Sequence, residues 1–234
     1  MAEERKPRPL LDLLLGIVIP SVILMQLSGD DQLGARGSLV IALAFPLALG
    51  AYELIRYKVT NFIALLGLVS VLLTGGIGLL ELDAQWLAVK EAAIPAIIGV
   101  IVLVSTQLGY PLVKVLLYNP KVLNTEKISG ILRERGFEEQ FDAQLLKASY
   151  FLGGTFFFSA VMNYLLATWI VTSQAGSAEF NEELGRLTLL SYPVIAIPSM
   201  LMMAAILYYL WQSIHKYTGL NFEAALSPAL TQED

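Results

Sequence analysis

Residues 61–80 read NFIALLGLVSVLLTGGIGLL, a stretch of 20 residues without a charged side chain. A helix needs about 20 predominantly apolar residues to cross the roughly 30 Å hydrocarbon core of a bilayer. The apolar residues of this stretch form a continuous block, whereas a helix on the surface of a soluble protein carries them as a periodic stripe. The stretch therefore predicts a transmembrane helix.

Similar apolar blocks recur along the chain. Of its 234 residues, 56% are hydrophobic and 15% are charged, whereas a soluble domain carries roughly 25% charged residues. We therefore expect an all-α fold, a polytopic membrane protein whose single membrane domain is a six-transmembrane-helix bundle. The predicted spans lie at about residues 10–27, 37–54, 61–80, 92–110, 151–171 and 187–211.

The first block follows the basic residues Arg5, Lys6 and Arg8, as the apolar region of a signal peptide does. However, Pro20 interrupts the block, and no A-x-A cleavage pattern follows it. We therefore predict that this block stays in the protein as its first span.

The basic residues are distributed unevenly between the two sides of the predicted spans. Of the 15 basic residues, 12 fall on one side, most of them in the N-terminal segment and in segment 111–150. Cytoplasmic loops carry the excess of Lys and Arg in membrane proteins. We therefore expect both termini and segment 111–150 to be cytoplasmic, which requires an even number of spans. Acidic residues collect on the other side: Asp30, Asp31, Glu81, Asp83, Glu179, Glu182 and Glu183.

Segment 111–150 is the longest connection and carries two apolar stripes. A first helix is predicted to start at the caps Asn124 and Thr125 and to end at Gly136. Its stripe consists of Ile128, Ile131 and Leu132, and a second stripe consists of Phe137, Phe141 and Leu145. Two short amphipathic helices on the inner leaflet fit this pattern. A helical hairpin packed on the protein's own cytoplasmic face fits it equally well.

The chain shows none of the usual sequence signatures of catalysis. It has no cysteine, which excludes disulfides, thiol catalysis and zinc–thiolate sites. It lacks an HExxH motif, a phosphate-binding loop and a Gly-rich dinucleotide fingerprint. Its one histidine, His215, lies at the end of the sixth predicted span, where a structural role is favoured. We therefore expect no enzymatic activity, no cofactor and no metal site, and no nucleic acid as a partner because no basic face is evident.

Four ionisable residues are candidates for ion pairs at the inner face. Asp12 and Glu53 fall at the cytoplasmic ends of the first two predicted spans, and pairing with Arg56 or Lys58 would neutralise either one. Asp12 also lies in the first turn of its helix, where the helix dipole favours an acid. We expect these residues to form a structural clamp between the two spans.

Lys90 and Glu91 precede the fourth predicted span at its outer end. Adjacent residues point about 100° apart on a helix, so we expect Glu91 to be at most an indirect partner of Lys90. Two alternatives stay open for Lys90. Its ammonium snorkels to the outer interface, or it faces inward and contacts an anion, a lipid headgroup or the end of the third span. The second alternative defines a candidate cleft formed by Thr74, Gly75, Gly76, Lys90 and Glu91.

Irregular backbone is predicted at the same end of the bundle. Four prolines fall in the outer halves of their spans: Pro20, Pro95, Pro193 and Pro198. Proline removes a backbone donor and kinks a helix, and inside a membrane the freed carbonyls must find protein or water partners. Helices bent at one end can splay around a cleft, although ordinary helix packing also explains prolines and glycines in spans.

Residues 61–100 carry a further pattern. The Gly75-Gly76 pair ends an apolar span, Asp83 marks an acidic turn, and Trp86 is followed by Lys90 four residues later. In this order and spacing, the stretch resembles the intracellular septation protein A family of bacterial inner-membrane proteins.

The resemblance extends more loosely to Leu11-Asp12 in the first span and ends before Pro111. Glu91 and Pro95 depart from the family's pattern, and the chain is longer. The resemblance implies a bacterial inner membrane and a link to envelope or division machinery. It implies no substrate and no catalytic residue.

Two functional hypotheses follow. The first is a non-enzymatic inner-membrane protein of the cell envelope that acts through membrane lipids, a membrane-protein partner or a second copy of itself. The second is a small transporter or lipid-handling protein with an outward-facing cleft near Lys90.

Overall fold

The computed structural model describes residues 9–57, 62–120 and 122–227, without the side chains of residues 9, 53–54, 56–57 and 62–65. Every regular element in these ranges is a helix, which confirms the all-α fold, and an isolated antiparallel bridge pairs Leu123 with Leu226. The helices are α1 (Pro9–Leu13), α2 (Ile19–Gln26), α3 (Gly34–Tyr57), α4 (Phe62–Leu79), α5 (Gln85–Gln107), α6 (Leu112–Leu116), α7 (Thr125–Arg135), α8 (Glu138–Ile170), α9 (Ala178–Ser191), α10 (Ile197–Thr218) and α11 (Phe222–Ala225). Two π-helical segments, Leu14–Val18 and Tyr192–Ala196, join α1 to α2 and α9 to α10.

Several of these helices have the length and composition of membrane spans. Among the described residues, four stretches are long and apolar enough to cross a membrane: Gly34–Tyr52, Gln85–Gln107, Glu138–Ile170 and Ala178–Thr218. The last stretch joins α9, a π segment and α10, and it begins before the predicted sixth span. Two shorter apolar helices, Leu10–Gln26 and Leu66–Leu79, coincide with the remaining predicted spans. The first residue of predicted span 61–80 lies outside the described residues.

The chain divides into two compact units. Among the described residues, the first unit comprises residues 9–57, 62–94 and 160–196, and the second comprises residues 95–120, 122–159 and 197–227. The unit boundaries fall inside the continuous helices α5 and α8. Each unit has its own buried apolar cluster.

The first unit brings α3 and α4 into close contact at two glycines. A Cβ added to Gly78 would lie 2.5 Å from Leu39 Cδ2, and one added to Gly75 would lie 2.7 Å from Leu43 Cδ1. The later residue of α4, Gly78, contacts the earlier residue of α3, Leu39, and Gly75 contacts Leu43, so the two helices are antiparallel. Small residues allow helix backbones to approach closely in membranes, and these two glycines therefore serve helix packing.

The second unit contains most of segment 111–150. The Asn124 side chain accepts a hydrogen bond from the Lys127 backbone N–H, and Gly136 ends α7 in the left-handed conformation with φ 70°. Four of the six stripe residues are buried in one cluster with residues of α10, whereas Phe137 is 38% exposed. The cluster includes Ile128, Leu132, Phe141, Leu145, Ile206, Leu210 and Ile214. The buried stripe residues face protein, which favours the packed alternative over helices lying on the inner leaflet.

The expectation of a second short helix in this segment is wrong. α8 begins at Glu138 and continues without interruption to Ile170. The stripe that starts at Phe137 thus marks the first turns of a 33-residue helix. No proline falls between residues 138 and 170, so nothing in the sequence forces the helix to end at the membrane surface.

The π segments lie next to prolines. Leu14–Val18 ends two residues before Pro20, and Tyr192–Ala196 ends two residues before Pro198. A proline cannot donate to the carbonyl four residues earlier, and a wide turn is one way for a helix to accommodate that loss. By contrast, Pro95 lies inside the regular helix α5.

Large apolar side chains are exposed along the long helices. Soluble monomers rarely expose contiguous apolar patches of more than a few hundred Å², whereas spans in lipid present such side chains to acyl chains. On α5, α8 and α10 the exposed set includes Val89, Ile97, Val100, Ile101, Val104, Phe151, Val161, Met200, Leu201 and Leu207. This pattern agrees with helices that are surrounded by lipid.

Candidate functional site

The candidate site lies in the first unit, where the start of α5 packs beside α4. Lys90 is about 7 Å along α5 from its first residue, at 1.5 Å per residue. Ser70 and Thr74 are four residues apart on α4 and so lie on one face of that helix. The side chain of Lys90 is only 7% exposed, and it is directed towards these hydroxyls. The ammonium therefore does not snorkel to the outer interface.

The Lys90 ammonium has three protein acceptors. Its Nζ lies 2.8 Å from Thr74 Oγ1, 3.2 Å from Ser70 Oγ and 2.7 Å from Glu91 Oε1. The Thr74 hydroxyl in turn donates to the Ser70 carbonyl at 3.0 Å. An ammonium carries three N–H donors, so three donors face three acceptors from the same chain. The arrangement joins α4 and α5 through a charge-assisted network.

The expectation that Glu91 would be at most an indirect partner of Lys90 is wrong. The 100° between adjacent helical positions separates their Cβ atoms, but both side chains are long enough to bring ammonium and carboxylate together. Glu91 remains 30% exposed at its side chain, whereas Lys90 is buried. The pair places one positive and one negative charge side by side, which lowers the cost of holding either in an apolar environment.

The glycines of the candidate cleft have different surroundings. Gly75 packs against Leu43 of α3, whereas a Cβ added to Gly76 would meet nothing within 4 Å. Thr74 faces Lys90, and Gly75 and Gly78 face α3. Residues Thr74–Gly78 therefore contact two different helices, α5 and α3.

The inner-face clamp is only partly within the described residues. Asp12 lies in the first turns of α1 and is partly exposed. Lys58 and the side chains of Glu53 and Arg56 lie outside the described residues. The clamp therefore stays a prediction.

Three connections of the first unit meet at one place. Arg36 at the start of α3 forms an ion pair with Glu81 in the α4–α5 turn, with 2.8 Å between Nη2 and Oε1. Glu81 has a positive φ of 54°. A Cβ added to Gly176 of the α8–α9 connection would lie 2.6 Å from Glu81 Cγ. This cluster fixes the turn that leads into the Lys90 helix.

The α8–α9 connection is held by a second carboxylate. Glu183 accepts hydrogen bonds from the backbone N–H and the hydroxyl of both Thr172 and Ser173, at 2.8–3.1 Å. These contacts tie the start of α9 to the end of α8. Both carboxylate oxygens of Glu183 therefore already accept hydrogen bonds from groups of the same chain.

Sequence reasoning missed a buried polar cluster around Asn181. Asn181 is fully buried, and its Nδ2 lies 2.7 Å from the Ala35 carbonyl, 3.0 Å from Ser38 Oγ and 3.1 Å from Ser28 Oγ. The two serine hydroxyls are 2.7 Å apart. Asn181 thereby links α9 to the α2–α3 connection. Asn181 falls in the connection between the predicted spans 151–171 and 187–211, and sequence reasoning assigned it no role.

Within residues 9–57, 62–120 and 122–227, no three His, Asp or Glu side chains form a group that could hold a metal ion. Lys90, Thr74 and Asn181 of the first unit bond to other side chains and to backbone carbonyls. What this arrangement can do chemically is to brace helices against one another.

Comparisons with protein-family models, with curated proteins and with solved structures each give no match to this chain.

Proposed function

We propose that this chain is a multi-pass, non-enzymatic protein of the bacterial inner membrane that serves the cell envelope by binding membrane lipids or protein partners. The observation that carries the proposal is the saturated ammonium of Lys90. An ionisable residue inside a membrane helix is a functional-site candidate by default. A lysine that binds a transported anion needs free donors, and all three donors of Lys90 face acceptors of the same chain.

The brace interpretation gives Lys90 and Glu91 a structural role. They join α4 to α5 and leave the apolar outer surface of the helices as the part available to lipid and partners. The location and the link to the envelope rest on the resemblance of residues 61–100 to the septation protein A family. The apolar helices support the membrane location itself.

We also propose six spans with both termini in the cytoplasm. Supporting this, α3 and α4 are antiparallel, and the α4–α5 turn and the α8–α9 connection meet the start of α3 at Arg36, Glu81 and Gly176. The Asn181 contacts bring the α2–α3 connection to the start of α9. Helices that cross a membrane in alternating directions place every second connection on the same side, where these connections can meet. α4 has 18 residues, or about 27 Å at 1.5 Å per residue, which is near the thickness of the hydrocarbon core.

The cysteine-free sequence makes this topology directly testable. Lys127→Cys and Arg135→Cys should be protected from a membrane-impermeant thiol reagent in intact cells and should react after permeabilisation. Gln32→Cys, in the exposed α2–α3 connection, is the matched control and should react from outside. Labelling at 127 or 135 in intact cells would overturn the orientation.

The function is tested by native mass spectrometry of the protein released from its membranes. We expect lipid, a second copy or a protein partner to remain bound in a fixed ratio to the wild type. The variant Lys90→Met/Glu91→Leu removes both charges together and should retain the same bound species, because a brace contributes only to stability. Loss of a bound species from this variant at unchanged folding would contradict the brace.

That contrary result would support the second hypothesis, an outward-facing cleft for transport or lipid handling. One observation favours it: Glu91 gives Oε1 to Lys90 while its side chain remains 30% exposed. A ligand with a donor group would then approach Glu91. We regard the saturated ammonium as the stronger indication, because the buried cation is the charge that a lipid phosphate would need.

A further inference from the structure

Two buried polar atoms in the first unit have no partner. Asn181 is 0% exposed and its Oδ1 accepts no hydrogen bond, and Ser21 is 1% exposed and its Oγ forms none within the described part of the chain. A buried polar atom without a partner costs about 1–3 kcal/mol. Two such atoms in a bundle of this size call for a physical explanation.

Both atoms belong to the contact between α2 and α9, which we name the α2–α9 seam and define by Ser21, Met25, Ser28, Asn181 and Gly185. A Cβ added to Gly185 would lie 2.9 Å from the Ser21 carbonyl and 2.7 Å from Met25 Cγ. One turn earlier on α9, Asn181 bonds to Ser28. Ser28 follows Ser21 by seven residues, or about 10 Å along a helix. The seam thus carries polar groups over roughly two turns.

The unpaired atoms of the seam restrict which kind of ligand it can bind. Asn181 Oδ1 can only accept, and the Asn181 Nδ2 protons are already directed at three oxygens, so the missing donor must come from outside the side chain. The nearest acids of α9 bond elsewhere, Glu182 to Arg186 and Glu183 to Thr172 and Ser173. A metal cation in the seam would lack a counter-charge, and burying an uncompensated charge is costly. The remaining candidate is a small neutral molecule that donates a hydrogen bond to Asn181 Oδ1 and can also pair with a hydroxyl.

We propose that the α2–α9 seam binds ordered water molecules, one donating to Asn181 Oδ1 and one pairing with the Ser21 hydroxyl. Buried water typically forms about three hydrogen bonds to polar groups that the protein leaves unpaired. The seam is then a hydrated helix contact inside the membrane region of the first unit.

The sign of a stability change tests the proposal. In a hydrated seam, Ser21→Ala removes a partner of the water, and the melting temperature of the purified protein should fall by roughly 2–4 °C. In a dry seam, the same change removes a buried unpaired hydroxyl and should raise the melting temperature. Ser149→Ala is the control, because Ser149 is equally buried but donates to the Leu145 carbonyl of its own helix. A melting temperature of Ser21→Ala at or above that of wild type would overturn the proposal.

Two direct measurements complete the test. An experimental map that resolves water should show a peak within about 2.7–3.2 Å of Asn181 Oδ1, and an empty seam would count against bound water. Melting temperatures in sodium chloride and in choline chloride at equal ionic strength should agree. A rise specific to sodium, lost in Ser21→Ala, would assign the seam to a metal cation instead.

Discussion

The two units bury polar side chains in different ways. In the first unit, the buried polar residues Thr74, Lys90 and Asn181 bond to side chains or carbonyls of a neighbouring helix or connection. In the second unit, five buried hydroxyls bond to the carbonyl four residues earlier in their own helix: Thr106, Ser149, Thr155, Ser213 and Thr218. Buried polar side chains therefore link different helices in the first unit. In the second unit the polar links between helices are formed by half-buried groups, such as Gln144 of α8 with Tyr209 and Tyr217 of α10.

Asn181→Leu should give the largest effect, because it removes an amide that links α9 to the α2–α3 connection. Each lost hydrogen bond costs about 1 kcal/mol, so we expect a loss of about 3 kcal/mol in unfolding free energy. The matched change in the second unit is Thr106→Val, which removes only an intrahelical bond and should cost less than about 1 kcal/mol. Denaturant titration in detergent measures both. Equal losses would break the comparison between the units.

Glu91→Gln should give the next effect. It leaves the buried Lys90 ammonium without its counter-charge, and breaking a fully buried pair costs about 3–5 kcal/mol. We expect about 2 kcal/mol, because solvent reaches the exposed part of Glu91. Lys90→Met/Glu91→Leu should recover much of the loss, since apolar replacement of a whole pair is often neutral. A double variant no more stable than Glu91→Gln would contradict the brace.

Gly78→Ala tests packing in place of polar bonding. The added Cβ would lie 2.5 Å from Leu39 Cδ2 and 3.4 Å from Phe180 Cε1, and both side chains are buried. Overpacking a core costs about 1–3 kcal/mol, and we expect the lower half of that range because Leu39 can turn. Gly76→Ala, two residues away in open space, should be neutral or slightly stabilising through helix propensity. Thermal melting distinguishes the two variants.

Glu81 should give the smallest effect. The exposed Arg36–Glu81 pair contributes less than about 1 kcal/mol, and a positive φ at a non-glycine residue costs about 1 kcal/mol or more. Glu81→Ala loses the pair and keeps the strained backbone, so it should be less stable than wild type by up to about 1 kcal/mol. Glu81→Gly loses the pair but relieves the backbone, and its melting temperature should stay near that of wild type. An alanine variant as stable as the glycine variant would argue against strain at this turn.

Sequence reasoning predicted a feature correctly where its signal lies within a few neighbouring residues. Asn124 and Gly136 bound α7 as predicted, because a cap and a left-handed glycine act within one turn of a helix. The stripe at Phe137, Phe141 and Leu145 was recognised but assigned to a separate helix. Its continuation to Ile170 depends on the absence of a stop signal, which is a weaker indication than a cap.

The candidate site shows the same limit. The sequence singled out Lys90 and Thr74, since a lysine beside an apolar span is conspicuous. It did not predict the direct pairing of Lys90 with Glu91, because helical angles describe where side chains start and not where their charged ends meet. Asn181 and Ser21 were missed altogether. Their importance arises from contacts between residues more than 140 positions apart, which no local pattern encodes.

The two π segments have a consequence for how the helices on either side of them are aligned. A π turn accommodates one more residue than the α-helical turn it replaces, so the helix after it is offset in phase by about 100°. α2 therefore presents Ser21, and the connection after it presents Ser28, in directions that an uninterrupted helix from Pro9 would not give them. Deleting one residue from Leu14–Val18 would restore the phase and turn these serines away from α9. The position of the polar seam thus depends on the length of the chain before it as much as on the residues that form it.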